Sequence, residues 1–378
     1  MIIKTEDFKD VCSTVLAATD GSELSTLTET LELKTQGSAL YLNVTNKEYY
    51  VSVKFPLEHE ETFHAAVNAT LFLKLISQIT SDSIELTTTD KYVMVKANGN
   101  YKIPLIYEND TLVEIPEIVI ANKQIENVQI ASSILESIVN FNTKQLNTGT
   151  MKDPVQKMFY IDEAGCITFT SGACVNNFTL PQPMKLLLPG RIVNLFKLFK
   201  GKTVNFALGH DASDQSENLI QTKVSFVTDS ITLTAITGCN DALINKVPAA
   251  KIRAMANAAY SYSPVISTQT LLSAINRLML FSSGYGSREN LKPYCRFVFN
   301  ANSLSIYDSS EDNVETFNYE NKLEDGTEVS TKFDISELKK VLDGCTESFI
   351  TLNVGQNSPC CVITRGSIQN VIPAVRER

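Results

Sequence analysis

Thr5-Glu-Asp-Phe-Lys-Asp-Val-Cys-Ser-Thr-Val-Leu-Ala-Ala18 carries Phe8, Val11, Cys12 and Val15 at steps of three and four, which lines them up on one stripe of a helix. The stripe returns twice: in 131–141 through Ile134, Leu135 and Ile138, and in 267–281 through Leu271, Leu272, Ile275 and Leu278. About sixty residues after each, a second amphipathic helix is predicted. These are 68–80 (Leu71, Phe72, Leu75, Ile76, Ile79), 189–200 (Ile192, Leu195, Phe196, Phe199) and 334–342 (Leu338, Val341, Leu342). Pro189 suits a first helical turn, and Asp334 with Glu337 reads as a variant capping box. Between and after the helices run short alternating segments such as Cys166-Ile-Thr-Phe-Thr170 and Ile231-Thr-Leu-Thr234, broken by Asp162-Glu-Ala-Gly165 and Asn300-Ala-Asn302, which are hairpin signals. The expected fold class is α+β: three tandem copies of a domain with two helices packed on antiparallel sheets, at 1–122, 123–248 and 249–378.

Length and composition agree, because 378 residues divide into three modules of ordinary domain size. With 43% apolar and 20% charged residues, the chain is no collagen, coiled coil or disordered polymer. No apolar run is long enough to span a bilayer, and Met1-Ile-Ile-Lys-Thr-Glu-Asp-Phe-Lys-Asp10 lacks the pattern of a signal peptide, so a cytoplasmic protein without membrane contact is expected. Lys and Arg number 33 against 42 Asp and Glu, a formal charge of −9. Any role on DNA must therefore work without strong global attraction. The eight cysteines include no CxxC and read as reduced, mostly buried thiols, with Cys360 and Cys361 on opposite faces if they lie in a strand.

A search for catalytic chemistry comes up empty. The three histidines, His59, His64 and His210, show no zinc spacing with cysteine or carboxylate. Gly201-Lys202-Thr203 would need a glycine where Phe196 stands to be a phosphate loop, and Gly284 and Gly286 would need one at Glu289 to be a dinucleotide fingerprint. Asn43-Val-Thr45 and Asn177-Phe-Thr179 match a glycosylation sequon that has no meaning inside a cell. No nucleophile, base and orienting group can be assembled, so the chain is expected to be no enzyme and to hold no metal or cofactor.

The ordered repeat resembles the bacterial DNA polymerase III beta subunit, the sliding clamp, across essentially the whole chain. The likeness rests on Leu40-Tyr-Leu-Asn-Val-Thr45-Asn-Lys-Glu-Tyr-Tyr-Val51, on Ile167-Thr-Phe-Thr170-Ser171-Gly172 and on the terminal Val371-Ile-Pro373-Ala-Val375-Arg376. Ser171 stands where the family has aspartate, Ala173-Cys174 where it commonly has His-Arg, and Ile372 and Ala374 where it has methionine, which suggests a divergent member, phage-encoded or from a distant bacterial group.

The resemblance implies a processivity factor: a homodimeric closed ring around duplex DNA, loaded by a separate clamp loader, tethering a replicative DNA polymerase. It implies DNA-facing cations at Lys9, Lys74, Arg191, Lys197, Lys200, Arg277, Lys339 and Lys340. Ring closure is expected to use Ile103 and Leu105 of one subunit and Leu280 and Phe281 of the other. A partner-peptide groove is expected at Val155, Thr170, Gly172, Cys174, Val175, Val247, Ile372, Pro373 and Ala374. The competing readings are a tandem β-rich structural or adhesive protein of virion type, without a DNA role, and third an enzyme whose cleft joins distant carboxylates.

Overall fold

The computed structural model describes residues 1–19, 25–146, 153–210, 222–237, 241–282, 294–321, 328–355 and 358–375. The first third runs β1 (Ile2–Lys4), α1 (Thr5–Ala18), β2 (Thr30–Gln36), β3 (Ala39–Thr45), β4 (Tyr49–Pro56), β5 (His64–Asn68), α2 (Ala69–Gln78), β6 (Ser83–Thr88), β7 (Tyr92–Lys96) and β8 (Asn100–Pro104). The middle third repeats that order: β9 (Asn122–Ala131), α3 (Ser132–Ser137), β10 (Met158–Asp162), β11 (Gly165–Phe169), β12 (Ala173–Asn177), β13 (Lys185–Pro189), α4 (Gly190–Asn194), β14 (Thr203–His210), β15 (Thr222–Val227) and β16 (Ile231–Ile236). After a linking helix α5 (Ala249–Ala256), it returns as β17 (Val265–Ser267), α6 (Thr268–Ser282), β18 (Tyr294–Asn300), β19 (Ser303–Tyr307), β20 (Val314–Asn318), β21 (Glu328–Asp334), α7 (Ile335–Leu342), β22 (Phe349–Asn353), β23 (Cys360–Arg365) and β24 (Ile368–Pro373).

Every third thus reads strand, helix, four strands, helix, three strands. The strands form antiparallel sheets in the orders β1-β6-β7-β8, β9-β14-β15-β16-β4-β3-β2-β5, β13-β10-β11-β12-β24-β23-β22-β17 and β20-β19-β18-β21. The two longer sheets are each made of two four-stranded halves, zipped where β16 meets β4 and where β12 meets β24. The chain divides into two compact units, Met1–Glu136 with Arg191–Asn240 and Ser137–Gly190 with Asp241–Arg378, each holding one eight-stranded and one four-stranded sheet. The division cuts through the middle third because each of its half-sheets is bonded to a half-sheet of a neighbouring third.

The helical stripes pack as their spacing demands. Phe8 of α1 meets Phe55 and Phe72 edge-on, at 5.4 and 6.4 Å between ring centres. In the other unit Phe297 meets Phe333 at 5.2 Å, inside a core that includes Leu271, Ile275, Leu338 and Leu342. Each such fully buried side chain contributes about 1.5–3 kcal/mol of apolar burial.

Three local expectations are corrected. α3 is short and runs on as a π-turn at Ile138–Asn142, which places the buried amide of Asn142 where Thr168 Oγ1 donates to its backbone oxygen at 2.9 Å and Asn176 Nδ2 to its Oδ1 at 3.3 Å. Pro189 ends a strand instead of opening a helix, and α4 tightens into a 3-10 turn at Leu195–Phe199 that seats Phe196 against Phe226 at 4.8 Å. Asp334 caps α7 through Ser336 N at 2.9 Å, but Glu337 pairs with Lys340 instead of reaching back, so no capping box forms. Cys12, Cys166, Cys174, Cys345, Cys360 and Cys361 are thiols outside any disulfide, and Cys360 and Cys361 do lie in a strand; Cys239, Gly284, Gly286 and Arg376 fall outside the described residues. No helix among the described residues is long and apolar enough to cross a membrane.

α5 is fastened by an ion pair. Both Arg253 terminal nitrogens donate to the Asp162 carboxylate at 2.5 Å, with the side chains 23% and 6% exposed. Asp162 also accepts from Ala164 N at 3.0 Å, which closes the β10–β11 turn at Gly165. Gly165 has φ +145°, and a Cβ there would strike the Asn176 carbonyl. Arg253→Ala would leave a buried carboxylate without its cation and is expected to cost about 3–5 kcal/mol in urea unfolding. Arg253→Lys should recover only part of that loss, because an ammonium cannot reproduce the two-pronged contact.

Candidate functional site

The expected DNA-facing cations fall into two groups. In the first unit α1 packs against both α2 and the Leu195–Phe199 turn, so Lys9, Lys74, Lys197 and Lys200 sit on three adjoining helical elements. Lys74, Lys197 and Lys200 are exposed, Lys9 is half-buried, and none has a carboxylate partner among the described residues. Arg191 and Asn194 on α4, and Lys197 and Lys200 on the 3-10 turn that follows, are three apart and all exposed. Arg191 is tied to Glu48 at 3.0 Å.

In the second unit every candidate is committed to an acid. Lys339 meets Asp343 at 3.0 Å, Lys340 meets Glu337 at 2.9 Å, and Arg277 forks onto Glu315 of β20 at 2.6 and 2.8 Å. The Arg277 contact holds the Glu315 carboxyl below its ordinary range. A phosphate must compete with those acids, so the readily available attraction lies on the first unit.

β8 stands in its third where β16 and β24 stand in theirs, and β20 where β4 and β12 stand. β8 ends one four-stranded sheet and β20 ends the other, and neither has a further strand beside it among the described residues. Apolar side chains stand exposed on and near these edges: Tyr101 on β8, Val314 on β20, and Leu280 and Phe281 at the end of α6, 74% and 55% exposed. Leu105 is half-buried, while Ile103 faces its own core at 2% exposure.

The expected groove residues all lie in the second unit. Thr170 N donates to Gly172 O at 2.8 Å in the turn before β12, and a Cβ on Gly172 would meet the Val371 carbonyl at 2.7 Å, so the close approach of β12 to β24 needs glycine there. α5 packs over this join, and Gln369 of β24 donates to Ala256 O at 3.1 Å while accepting from Asn177 at 3.0 Å. Val175 pairs with Gln369 and shares its face; Thr170, Pro373 and Ala374 are half-buried, and Val155 and Val247 are buried. Cys174 and Ile372 occupy alternate positions and lie on the opposite face, Ile372 within the core of the third repeat, so neither presents surface toward α5.

Beneath that face sits a charged group the sequence did not single out. Arg365, 1% exposed, donates to Gly344 O at 2.9 Å and to Cys345 Sγ at 3.2 Å, with its guanidinium 4.8 Å from the Phe141 ring. Burial pushes the Cys174 thiol up to about 12, against a weaker opposing pull from Arg365, so it stays protonated at neutral pH. Nothing in the sequence marks Arg365 or the Arg253–Asp162 pair, since their partners lie far away along the chain.

No family model matches the sequence, and no curated protein matches it. Solved structures do. The chain is similar over its whole length to the DNA polymerase III subunit beta of Pseudomonas aeruginosa, at 14% identity and a TM-score of 0.81, covering all of both chains. It is similar to the beta subunit of Thermotoga maritima at 14% identity and a TM-score of 0.77, covering 100% of this chain and 99% of that one. It is similar to the Helicobacter pylori beta clamp, solved with a DNA ligase peptide, at 14% identity and a TM-score of 0.75, with the same coverage. Together with the threefold strand order, these matches establish that the chain has the fold of the DNA polymerase III beta subunit, the sliding clamp.

Proposed function

We propose that the chain is a DNA polymerase processivity factor: a homodimeric ring of three-domain subunits, 1–122, 123–248 and 249–378, that encircles duplex DNA and tethers a replicative polymerase. It performs no reaction of its own and relies on a separate loader for opening. The observation that carries this reading is the pair of open edges. Within the chain, the last strand of a third pairs with the third of the four strands between the helices in the preceding third, as β16 does with β4 and β24 with β12. Among the strands that occupy these two places in the repeat, β8 and β20 alone lack such a join among the described residues, and the same rule pairs β8 of one copy with β20 of another. Two such contacts related by a two-fold axis close a ring.

The two internal joins also give the register. Thr234 faces Tyr50 and Val371 faces Ala173, and Lys102 and Val314 are the equivalent positions on the open edges. Lys102 is therefore placed opposite Val314, Tyr101 opposite Glu315 and Asn100 opposite Thr316. Inside the ring, the lysines of the first unit supply a sparse positive lining, suited to sliding because few phosphates are held at once. The surface under α5, bordered by Thr170, Pro373 and Ala374, receives a short apolar peptide from partners, and the altered residues at Ala173 and the half-buried Ala374 change its preference relative to the bacterial clamps. Tethering there raises the local concentration of the polymerase at the primer end.

Sedimentation is expected to give twice the 41.8 kDa chain mass, and a monomer or a ladder of higher species would contradict ring closure. Lys102→Cys combined with Val314→Cys should yield a covalent dimer on oxidation, whereas Lys102→Cys with Glu315→Cys, one residue out of register, should not. Protein loaded on nicked circular DNA should remain bound until the DNA is linearised. Removing the last six residues should abolish peptide binding while leaving the dimer assembled.

A further inference from the structure

We propose that Glu32, His64 and Glu114 form a binding site for a divalent transition-metal ion, with Zn²⁺ the best fit. One ligand atom from each residue lies within 4.8 Å of the others. His64 Nε2 is already 3.0 Å from Glu32 Oε1. Ligand atoms about 2.0–2.2 Å from a tetrahedral zinc stand about 3.4 Å apart, so the Glu32–His64 pair needs almost no adjustment, and the exposed Glu114 side chain can swing to complete the set. One imidazole nitrogen with two carboxylate oxygens suits zinc and its first-row neighbours, leaving a fourth position for water. A site for calcium or magnesium would instead be built from six or more oxygens.

The environment fixes the ligands. Glu32 lies between Leu31 and Leu33 of β2, and the two-residue period sends those leucines into the core and Glu32 to the other face. It is only 2% exposed there. Asn43 on the neighbouring strand donates to Glu32 Oε2 at 3.0 Å, which orients the carboxylate and leaves Oε1 facing His64. Asn43 is itself 7% exposed, and its Oδ1 is buried without a hydrogen-bond partner among the described residues, a spare acceptor beside the cluster. Glu114 comes from the segment that leads from the first third to β9, and Lys34 Nζ lies 3.7 Å from it as the nearest competing cation. A bound ion would fasten that connecting segment to β2 and β5. None of the three residues belongs to the cationic helices, the open edges or the peptide surface.

Isothermal titration of the full-length dimer with Zn²⁺, after EDTA treatment, is expected to show one ion per chain and a raised melting temperature. His64→Ala and Glu114→Gln should each weaken binding by about tenfold or more and remove the thermal shift, with Glu114→Gln melting like the parent in EDTA. Because Glu114 is exposed, Glu114→Gln decides the matter even if His64→Ala unfolds. Co²⁺ should give tetrahedral ligand-field bands without a thiolate charge-transfer band. Unchanged affinity in Glu114→Gln, or a thiolate band, would overturn the assignment and place the metal on cysteines.

Discussion

Backbone hydrogen bonding at strand edges is the constraint on which the rest of this molecule depends. An unpaired edge exposes a row of donors and acceptors, and the fold satisfies such rows by zipping one four-stranded half-sheet onto the next. The β16–β4 and β12–β24 joins consume four edges inside the chain, using continuous antiparallel registers from Ile231 to Ala235 and from Ala173 to Asn176. The middle third is thereby built into both compact units, and its own boundaries matter less to the packing than the sheets it shares.

The electrostatics follow a similar economy. The net charge is −9, while lysines on α1, α2 and the Leu195–Phe199 turn stay without acidic partners among the described residues. The basic residues of α6 and α7 are instead paired, most firmly Arg277 with Glu315. That contact links the outward face of a helix to an open edge strand, so the arginine serves the edge more directly than it serves a phosphate.

Buried polar groups beneath α5 organise the second unit. Arg253 on Asp162 fastens α5, and Arg365 with Asn142 fills the opposite face of the same sheet. Arg253 sets both terminal nitrogens on Asp162 and Arg365 donates to Gly344 O and Cys345 Sγ, while the buried Nε of each has no partner among the described residues; pairing the terminal nitrogens is what makes burying these charges tolerable.

How much of this was legible in the residues is clearest from particular elements. The α1 stripe, Phe8, Val11, Cys12 and Val15, was readable because helical spacing is a local property, and its two recurrences gave the threefold order and the antiparallel hairpins. Local signals failed where distant contacts prevailed, as at the π-turn at Asn142, which answers to strands some thirty residues away; at Asp334 the competition was between near neighbours, Ser336 taking the cap and Lys340 taking Glu337. Cys174 and Ile372 looked like groove residues until strand alternation placed them on the other face. The amino-acid order by itself determined the repeat, the element types and the overall charge. Only the tertiary structure decided which edges are zipped and which stay open, and which cations are paired. It alone brought Glu32, His64 and Glu114 together, because pairing across a sheet joins residues whose separation along the chain carries no trace of their meeting.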